Sequence, residues 1–348
     1  MKNIASLIAL FTIVSSGWAQ SKQPQLEVVA ELPVRPGNVA VSSAGRVFAT
    51  IHPLGSSELQ LVEIKGKTDY RPYPDASFQK NGKPASNKSL DTPLGLTFDS
   101  SDKLYVIDMG QTIGKTRLWS FDAKTNKLLN KIELPEAIAP KGSFIQDVAI
   151  DDIHQWAFLA DIANPGIIAV DLKTGKARRF GGAPALQSED IDMVIDGKVA
   201  YFGGKPARVA VNPVTISADR ETIYFGAMNG TKWYSLPTKL FRDNAGDDQI
   251  MTAIKTIGNK PVSDGAGIDP KGNHYFTNLP GHAVSKLSTT GKLTDILTDK
   301  RLLWPDNVYY RNGWIYISVN QLNTTPAFTG GNDEGHAPYF IYKFKNAE

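Results

Sequence analysis

Hydrophobic and polar positions alternate along this chain in short runs that recur. Each copy begins with a polar or glycine-containing pair, continues as an alternating aliphatic strand, and returns after a polar turn as a second strand with aromatic or β-branched residues. Alternation with a period of two predicts half-buried β-strands joined as hairpins. The six copies occupy residues 36–50, 94–108, 146–161, 212–226, 264–278 and 306–318.

The spacing of the copies predicts the architecture. Their first aliphatic positions are 39, 96, 148, 214, 266 and 308, on average about 54 residues apart. This length holds the four short strands of one propeller blade, whereas a solenoid repeat is shorter. Six further strands are predicted at 59–63, 117–122, 167–171, 232–235, 283–288 and 340–344.

We therefore predict an all-β fold, a six-bladed β-propeller with four-stranded antiparallel blades. An extra strand at 26–32 precedes the first copy. It is predicted to complete the blade of the C-terminal residues, so that N- and C-terminal strands close the ring and cover a sheet edge. Two β-sandwich domains are the alternative, but sandwiches do not repeat one hairpin six times behind the same pair.

The first nineteen residues predict an export signal. Lys2 is followed by an apolar run at 5–14 and by small residues at 17 and 19. The run is too short to remain in a bilayer, and a lipoprotein would need a cysteine. We expect a signal peptide at 1–19, a single domain at 20–348, a secreted or periplasmic location and no membrane anchor after cleavage. A buried N-terminal helix is the alternative.

Composition removes several classes of function. The chain has no cysteine, which excludes disulfides, thiol catalysis and cysteine-ligated metals. The net charge is +3, and no run of Lys or Arg exceeds two residues. The sequence therefore has no basic cluster of the kind that binds nucleic acid. A small-molecule ligand is the expected partner, and the pattern leaves the oligomeric state open.

The pairs that precede the six copies are the candidate site. The residues before an innermost propeller strand line the top of the central channel, and five of these six pairs contain Asn or Asp. Trp304, just before the sixth pair, is a candidate pocket wall, with core packing as its alternative role. The polar residues expected to converge are Asn38, Gln146, Asp147, Asn212, Asp264, Asp306 and Asn307.

Several chemistries fit such a cluster. Oxygen ligands suit Ca2+ or another divalent cation, which would also relieve repulsion between carboxylates. Without a cation, one acid would have a raised pKa and could act as a base, or the ring could bind an amine or a polyol. Asn and Asp also cap ordinary tight turns, which is the structural alternative.

Five stretches resemble the major royal jelly/yellow proteins. They are 160–179, 216–224, 234–242, 263–265 and 304–307. The resemblance covers nearly the whole mature chain and implies a six-bladed propeller. Because the cysteine pairs of the insect members are missing, it implies a bacterial, exported member. The family includes nutritional proteins, amine-binding salivary proteins and pigment-pathway proteins with a proposed dopachrome-converting activity, so it leaves the function open.

A more distant resemblance, to the gluconolactonase/regucalcin propellers, implies a divalent-metal site. Asn212 and Asp264 match the metal-binding Asn and Asp of that family, and its Asp is the proposed base. Pro36 stands where its metal-binding Glu is expected, and Gln146 stands at its substrate-side Asn. The loss of a charged ligand weakens such a site unless Asp147 or Asp306 substitutes.

Three hypotheses follow. In the first, the propeller binds a small polar or amine-like molecule. In the second, it is a metal-dependent lactonase, with Asn212 and Asp264 on the metal and Asp264 as the catalytic base; a yellow-type isomerase is the other enzymatic possibility. In the third, it is a protein-binding or structural propeller. The ligand-binding residues of the first hypothesis are Asn38, Gln146, Asp147, Trp304, Asp306 and Asn307.

Overall fold

Six four-stranded antiparallel sheets surround a central channel in the computed structural model, which describes residues 24–55 and 57–346. The predicted six-bladed propeller is confirmed. The predicted signal peptide at 1–19 lies outside the described residues. We call the end of the channel where the innermost strands begin the upper end.

The blades are numbered in chain order, and their strands are given from the innermost outwards. Blades 1 to 3 consist of Pro36–Val41, Val47–Ile51, Leu61–Ile64 and Tyr70–Pro72; Pro93–Phe98, Lys103–Asp108, Arg117–Asp122 and Lys127–Glu133; and Ile145–Asp151, Trp156–Asp161, Gly166–Asp171 and Ala177–Gly181. Blades 4 to 6 consist of Val211–Ile216, Thr222–Ala227, Lys232–Pro237 and Lys255–Asn259; Ala266–Ile268, His274–Asn278, Ala283–Leu287 and Leu293–Thr298; and Pro305–Arg311, Trp314–Val319, Tyr339–Lys345 and Glu27–Leu32.

The ring closes through the sixth blade, as predicted. The N-terminal strand Glu27–Leu32 pairs antiparallel with Tyr339–Lys345 and forms the outermost strand of that blade. The two ends of the described chain are thus held in one sheet by main-chain hydrogen bonds, which cover an edge that would otherwise be open.

Burial falls from the axis to the rim. Every residue of the innermost strand Pro36–Val41 is buried, because neighbouring blades pack on both of its faces. The outermost strand Lys127–Glu133 is mostly exposed. Outer strands therefore appear in the sequence as mixed polar segments, whereas inner strands continue with mainly apolar residues after the pair at their start.

Two glycines of the pairs allow neighbouring blades to approach closely at the axis. A Cβ on Gly95 would lie 2.5 Å from the carbonyl oxygen of Gln146, and a Cβ on Gly265 would lie 2.5 Å from that of Asp306. A side chain at either position would push two inner strands apart. Both glycines thus serve packing, and in the fifth pair Asp264 is left to line the channel.

The connection between blades 3 and 4 was not predicted. Residues 188–210 form two short hairpins, Val194–Ile195 with Lys198–Val199 and Tyr201–Phe202 with Lys205–Pro206. We call this stretch the covering segment, because it lies across the upper end and packs against Trp304 and Leu322. The remaining helices are Lys239–Arg242, Asp247–Ala253 and Pro326–Thr329, with 3-10 turns at Ala76–Phe78, Pro184–Leu186 and Leu322–Thr324. Within 24–55 and 57–346, no helix has the length and hydrophobicity that a bilayer span requires.

Candidate functional site

Irregular strand pairing marks the candidate site in five of the six blades. The register between the innermost strand and its neighbour shifts near the start of that strand, and a shift of this kind re-aims the side chains beside it. Asn38, Gln146, Asn212 and Asp306 fall at these shifts. The shifts lie between Pro36 and Val39, Pro93 and Leu96, Ile145 and Asp147, Val211 and Val214, and Pro305 and Asn307.

From here on, the ring denotes the predicted polar residues at the starts of the innermost strands together with Asn320. Asp264 is the carboxylate of the ring with the most hydrogen bonds. Its Oδ1 accepts hydrogen bonds from Gln146 Nε2 and, at 2.9 Å, from Asn212 Nδ2. Its Oδ2 accepts one from Trp304 Nε1 at 2.7 Å. Blades 3 and 4 and the loop before blade 6 thus contribute to one buried carboxylate, so the structure brings together three residues that the repeat pattern selected and the candidate wall Trp304.

Asp306 has fewer partners. Its Oδ2 accepts a hydrogen bond from Asn320 Nδ2 at 2.6 Å, and the same amide nitrogen donates to the carbonyl oxygen of Pro36 at 3.1 Å. The other oxygen, Oδ1, has no hydrogen-bond partner among the described residues. Asp306 is only 1% exposed.

Four buried side-chain oxygens in the ring lack donors among the described residues. They belong to amide and carboxyl groups at the upper end of the channel, and each residue is at most 2% exposed. A buried acceptor without a partner costs about 1–3 kcal/mol, so most such atoms in proteins are satisfied. The site is therefore short of hydrogen-bond donors. The four atoms are Asn38 Oδ1, Asn212 Oδ1, Asp306 Oδ1 and Asn320 Oδ1.

The electrostatics of the ring are dominated by burial. Desolvation raises the pKa of Asp147 and of Asp264 to about 7, and it raises the pKa of Asp306 well above the usual range. Repulsion from neighbouring carboxylates adds to the last two shifts. No lysine or arginine of the described residues forms an ion pair with any of the three, and the buried Lys260 acts on Asp264 only at longer range. The ring therefore favours protonated acids when it is empty and would be stabilised by a cation.

His52 stands beside Asp306, and sequence reasoning missed it. The backbone N–H of Leu54 donates to His52 Nδ1 at 3.1 Å, and His52 Nε2 lies 3.9 Å from Asp306 Oδ2. Burial lowers the pKa of His52 to about 3, with a contribution from the positive charge of Arg35. His52 is thus a neutral imidazole at the ring.

A repeat-phase signal for His52 and Asn320 exists in the sequence. Each is the first residue after the second strand of its blade, after Ile51 and Val319 respectively. Only these two of the six equivalent positions are polar, so the signal is weak without the structure. The other four positions hold Met109, Ile162, Met228 and Leu279.

An upper pocket of about 280 Å³ opens above the ring. Gln146 and Asp264 form its floor, and the covering segment contributes Phe202 and Arg208 to its walls. The Arg208 guanidinium already donates to Asp190 and Asp192, whose two carboxylates more than offset its single positive charge. The walls are predominantly apolar, and their larger members are Leu54, Phe144, Met228, Trp304, Leu322 and Phe328.

A lower chamber of about 150 Å³ lies on the opposite side of the ring. Asp147 and Asn307 line it, together with Thr215, whose buried hydroxyl has no hydrogen-bond partner among the described residues. The Asp147 carboxylate accepts hydrogen bonds from the backbone N–H groups of Val148, at 2.9 Å, and Val214, at 3.0 Å. The predicted residues thus form a partition between two cavities.

The arrangement does not fit the metal site that the distant resemblance implies. Asn212 turns its amide nitrogen toward Asp264, while hydrogen bonds from three side chains occupy the Asp264 carboxylate. Pro36, at the position of the expected Glu, contributes only its carbonyl oxygen, to Asn320. Across 24–55 and 57–346, no cluster of three or more His, Cys, Asp or Glu is arranged to hold a metal ion.

The chain matches a family of known proteins by sequence. The model of the family described as "Major royal jelly protein" matches residues 92–308. Protein yellow of Drosophila guanche is 24% identical over 195 residues, which are 52% of this chain and 34% of that protein. Protein yellow of Drosophila melanogaster is also 24% identical over 195 residues and is matched over 36% of its length. The chain thus spans about a third of the length of these relatives.

Solved propellers of several kinds share the fold. A gluconolactonase from Xanthomonas campestris has a TM-score of 0.57 at 11% identity, covering 92% of this chain and 89% of the other. A virginiamycin B lyase from Staphylococcus aureus has a TM-score of 0.54 at 13% identity, covering 93% of this chain and 99% of the other. At these identities the similarity establishes the propeller fold alone.

Proposed function

Because the chain belongs to the major royal jelly protein family, whose model matches residues 92–308, we propose that its propeller binds a small organic amine in the upper pocket. The ammonium group lies on the floor of the pocket, beside Asp264 and Gln146. The apolar body of the ligand lies against Trp304, Phe144 and Met228. The ligand is held without covalent chemistry.

The observation that carries this proposal is the shortage of hydrogen-bond donors and of ion-pair partners at the ring. Asp147, Asp264 and Asp306 are buried without a lysine or arginine partner, and four nearby oxygens lack donors within the described residues. An ammonium group supplies three N–H donors and one positive charge. A neutral ligand supplies no charge, and an anion would be repelled by the ring.

The upper pocket suits the ligand better than the lower chamber. It is the larger of the two cavities, about 280 Å³ against about 150 Å³, and its walls are mainly apolar. Ligand pockets of proteins typically combine apolar walls with a few convergent polar groups. The upper pocket has that composition, with Asp264 and Gln146 as its polar floor.

The metal-dependent lactonase alternative has less support. A metal at Asn212 and Asp264 would have to displace the hydrogen bonds from Gln146 and Trp304, and it would lack the charged ligand that Pro36 replaces. No contact in the described residues favours the protein-binding alternative over a pocket ligand.

Calorimetric titration of the mature chain at pH 8 tests the proposal. The probes are 2-phenylethylamine, the neutral 3-phenylpropionamide and the anionic 3-phenylpropionate, which share one ring and a similar length. We expect the amine to bind at least about tenfold more tightly than the amide, a difference of about 1.4 kcal/mol, and the anion not to bind. Binding of the carboxylate with an affinity equal to that of the amine would contradict the proposal.

We also propose that the chain is exported, on the strength of the order of charge, apolar run and small residues at 1–19. The mass of the protein recovered from the periplasm or the medium tests this, with a mature chain beginning near Gln20 as the expected result. Retention of the full-length chain in the cytoplasm would contradict it.

A further inference from the structure

The lower chamber contains a carboxylate that no basic side chain neutralises. Asp147 lines the chamber and is 6% exposed. Arg220 is the one basic residue among the described residues of the chamber wall. Its guanidinium donates to Asp152 at 2.7 Å and to the carbonyl oxygen of Ser217 at 3.1 Å, so its charge is already balanced by Asp152. The chamber is left with an excess of negative charge.

The Asp147 carboxylate has lone pairs to spare. A carboxylate offers about four lone-pair sites on its two oxygens. The backbone N–H of Val148 donates to Oδ1 at 2.9 Å, and that of Val214 donates to Oδ2 at 3.0 Å. One site on each oxygen therefore remains, and a cation can bind Asp147 without displacing either hydrogen bond.

Neutral side-chain oxygens line the same chamber. Thr215 follows the residue that donates to Asp147, is 7% exposed, and has a hydroxyl without a hydrogen-bond partner among the described residues. Asn307 Oδ1 accepts one hydrogen bond, from the backbone N–H of Val39 at 3.3 Å. Because buried hydroxyls in proteins normally have a partner, the hydroxyl of Thr215 indicates a ligand in the chamber.

The walls add backbone oxygens. Each innermost strand pairs with a single neighbouring strand, so the N–H and C=O groups along its inner edge face the channel. Backbone carbonyls are hard, neutral ligands for cations that prefer oxygen. Five innermost strands line the chamber in this way, at 96–98, 147–150, 214–216, 266–268 and 307–310.

We propose that the lower chamber binds an alkali-metal cation, Na+ or K+, through the Asp147 carboxylate, the Thr215 hydroxyl and backbone carbonyls. A single carboxylate balances one positive charge, whereas Ca2+ sites draw on several carboxylates. The part of the chain that the structure describes has no cluster of three or more His, Cys, Asp or Glu arranged around a metal ion, which favours a monovalent ion.

The size of the chamber agrees with this ligand. Its volume of about 150 Å³ corresponds to about five water molecules. This space suits a small ion that keeps part of its hydration shell. The site lies on the opposite side of the ring from the upper pocket, and the inference does not depend on an amine in that pocket.

Thermal melting in different salts tests the inference. The wild-type chain is melted at pH 8 in equal concentrations of NaCl, KCl or choline chloride, so that the ionic strength is constant and choline is too bulky for the chamber. We expect NaCl or KCl to raise the melting temperature by about 2 °C relative to choline chloride, because an ion that binds the folded state stabilises it.

Asp264→Asn, on the upper side of the ring, is the matched control. It should keep the response to NaCl and KCl, and it removes the carboxylate that would attract choline to the upper pocket. If neither the wild-type chain nor Asp264→Asn melts at a higher temperature in NaCl or KCl than in choline chloride, the inference is overturned. The proposed function is unaffected by that result.

Two further variants locate the cation. Asp147→Asn removes the charge, so the response to NaCl and KCl should fall to less than half. Thr215→Val keeps the shape of the side chain and replaces the unpartnered hydroxyl by a methyl group. It should therefore melt no lower than the wild-type chain in choline chloride, yet respond less to NaCl and KCl. A full response in either variant would overturn the site as assigned.

Sodium NMR gives a second reading that does not involve unfolding. Exchange of Na+ with a protein site broadens the sodium resonance, so the wild-type chain should broaden it more than Thr215→Val at equal concentration. Added KCl should reverse the difference. Equal broadening by the two chains would overturn the inference, and this comparison decides it even where Asp147→Asn does not fold.

Discussion

The upper pocket and the lower chamber share one ring of polar residues yet differ in chemistry. Gln146 faces the upper pocket and Asp147, the next residue, faces the lower chamber. Consecutive side chains on a strand point in opposite directions. The register shift between Ile145 and Asp147 lies at these residues, and the two side chains still face opposite cavities. The repeat phase can therefore identify a ring without saying which cavity each member serves.

The two cavities also hold their acids differently. Asp264, below the upper pocket, accepts hydrogen bonds from three side chains, whereas Asp147 accepts two from backbone N–H groups. Burial raises the pKa of each to about 7. An equal pKa thus does not imply an equal role, because only Asp264 borders the larger, apolar cavity.

The largest expected effect separates these two acids. Asp264→Asn removes the charge beneath the upper pocket, and we expect about a hundredfold weaker binding of 2-phenylethylamine. Asp147→Asn is the matched control on the lower side and should weaken binding less than about threefold. Calorimetric titration measures both, and similar losses in the two variants would erase the distinction between the cavities.

A smaller effect concerns stability and its pH dependence. Asp306→Asn is isosteric and adds a donor near oxygens that have none, so we expect it to stabilise the empty protein by about 1 kcal/mol at pH 7.5. Because burial raises the pKa of Asp306, the folded state retains a proton that the unfolded state loses, and the contribution of Asp306 to wild-type stability falls as pH rises above about 4. The advantage of the variant should therefore shrink as pH is lowered.

The control for this effect is Asp152, at the lower rim. Burial opposes its ionisation, but hydrogen bonds from Ser100 and Arg220 lower its pKa to about 2. Its contribution to stability is present above the unfolded pKa and is lost as pH falls toward about 2. Asp152→Asn should destabilise the protein at pH 7.5. Urea denaturation measures the change in the free energy of unfolding for both variants, and changes of the same sign would contradict the contrast.

The smallest expected effect concerns the roof of the upper pocket. The Phe202 ring packs on Phe328 with centroids 5.3 Å apart, and Phe328 packs on Trp304 at 4.8 Å. Phe202→Ala should weaken binding of 2-phenylethylamine about threefold with little change in melting temperature, because Phe202 is 50% exposed. Tyr201→Ala, at the neighbouring 47% exposed residue, should have no effect on affinity. A tighter complex in Phe202→Ala would contradict the role of the covering segment.

The sequence predicts the parts of the fold that repeat. The six hairpins and the closing strand Glu27–Leu32 follow a period of two and a constant spacing, and inner strands are buried on both faces. The outermost strand Lys127–Glu133 escaped prediction because its exposure permits a mixed composition. The hairpins of the covering segment escaped because paired strands of two residues carry no readable alternation.

The candidate site divides in the same way. Asp264 and Asp306 were predicted because they share a phase of the repeat. Trp304 was predicted because it lies just before the sixth copy. His52 and Asn320 were missed because the other blades carry apolar residues at their position. Their roles depend on contacts between the first and last blades, whose contacting residues lie more than 250 positions apart in the sequence. A local sequence pattern does not encode contacts over that distance.

The proton balance of ligand binding tests the central claim most directly. If buried acids at the ring share protons in the empty protein, an ammonium that binds there must drive a proton off. We predict that titration of the wild-type chain with 2-phenylethylamine at pH 6.5, in phosphate and in PIPES buffers of different ionisation enthalpy, reveals release of about one proton per amine bound. Binding without proton release, or with proton uptake, would contradict the account.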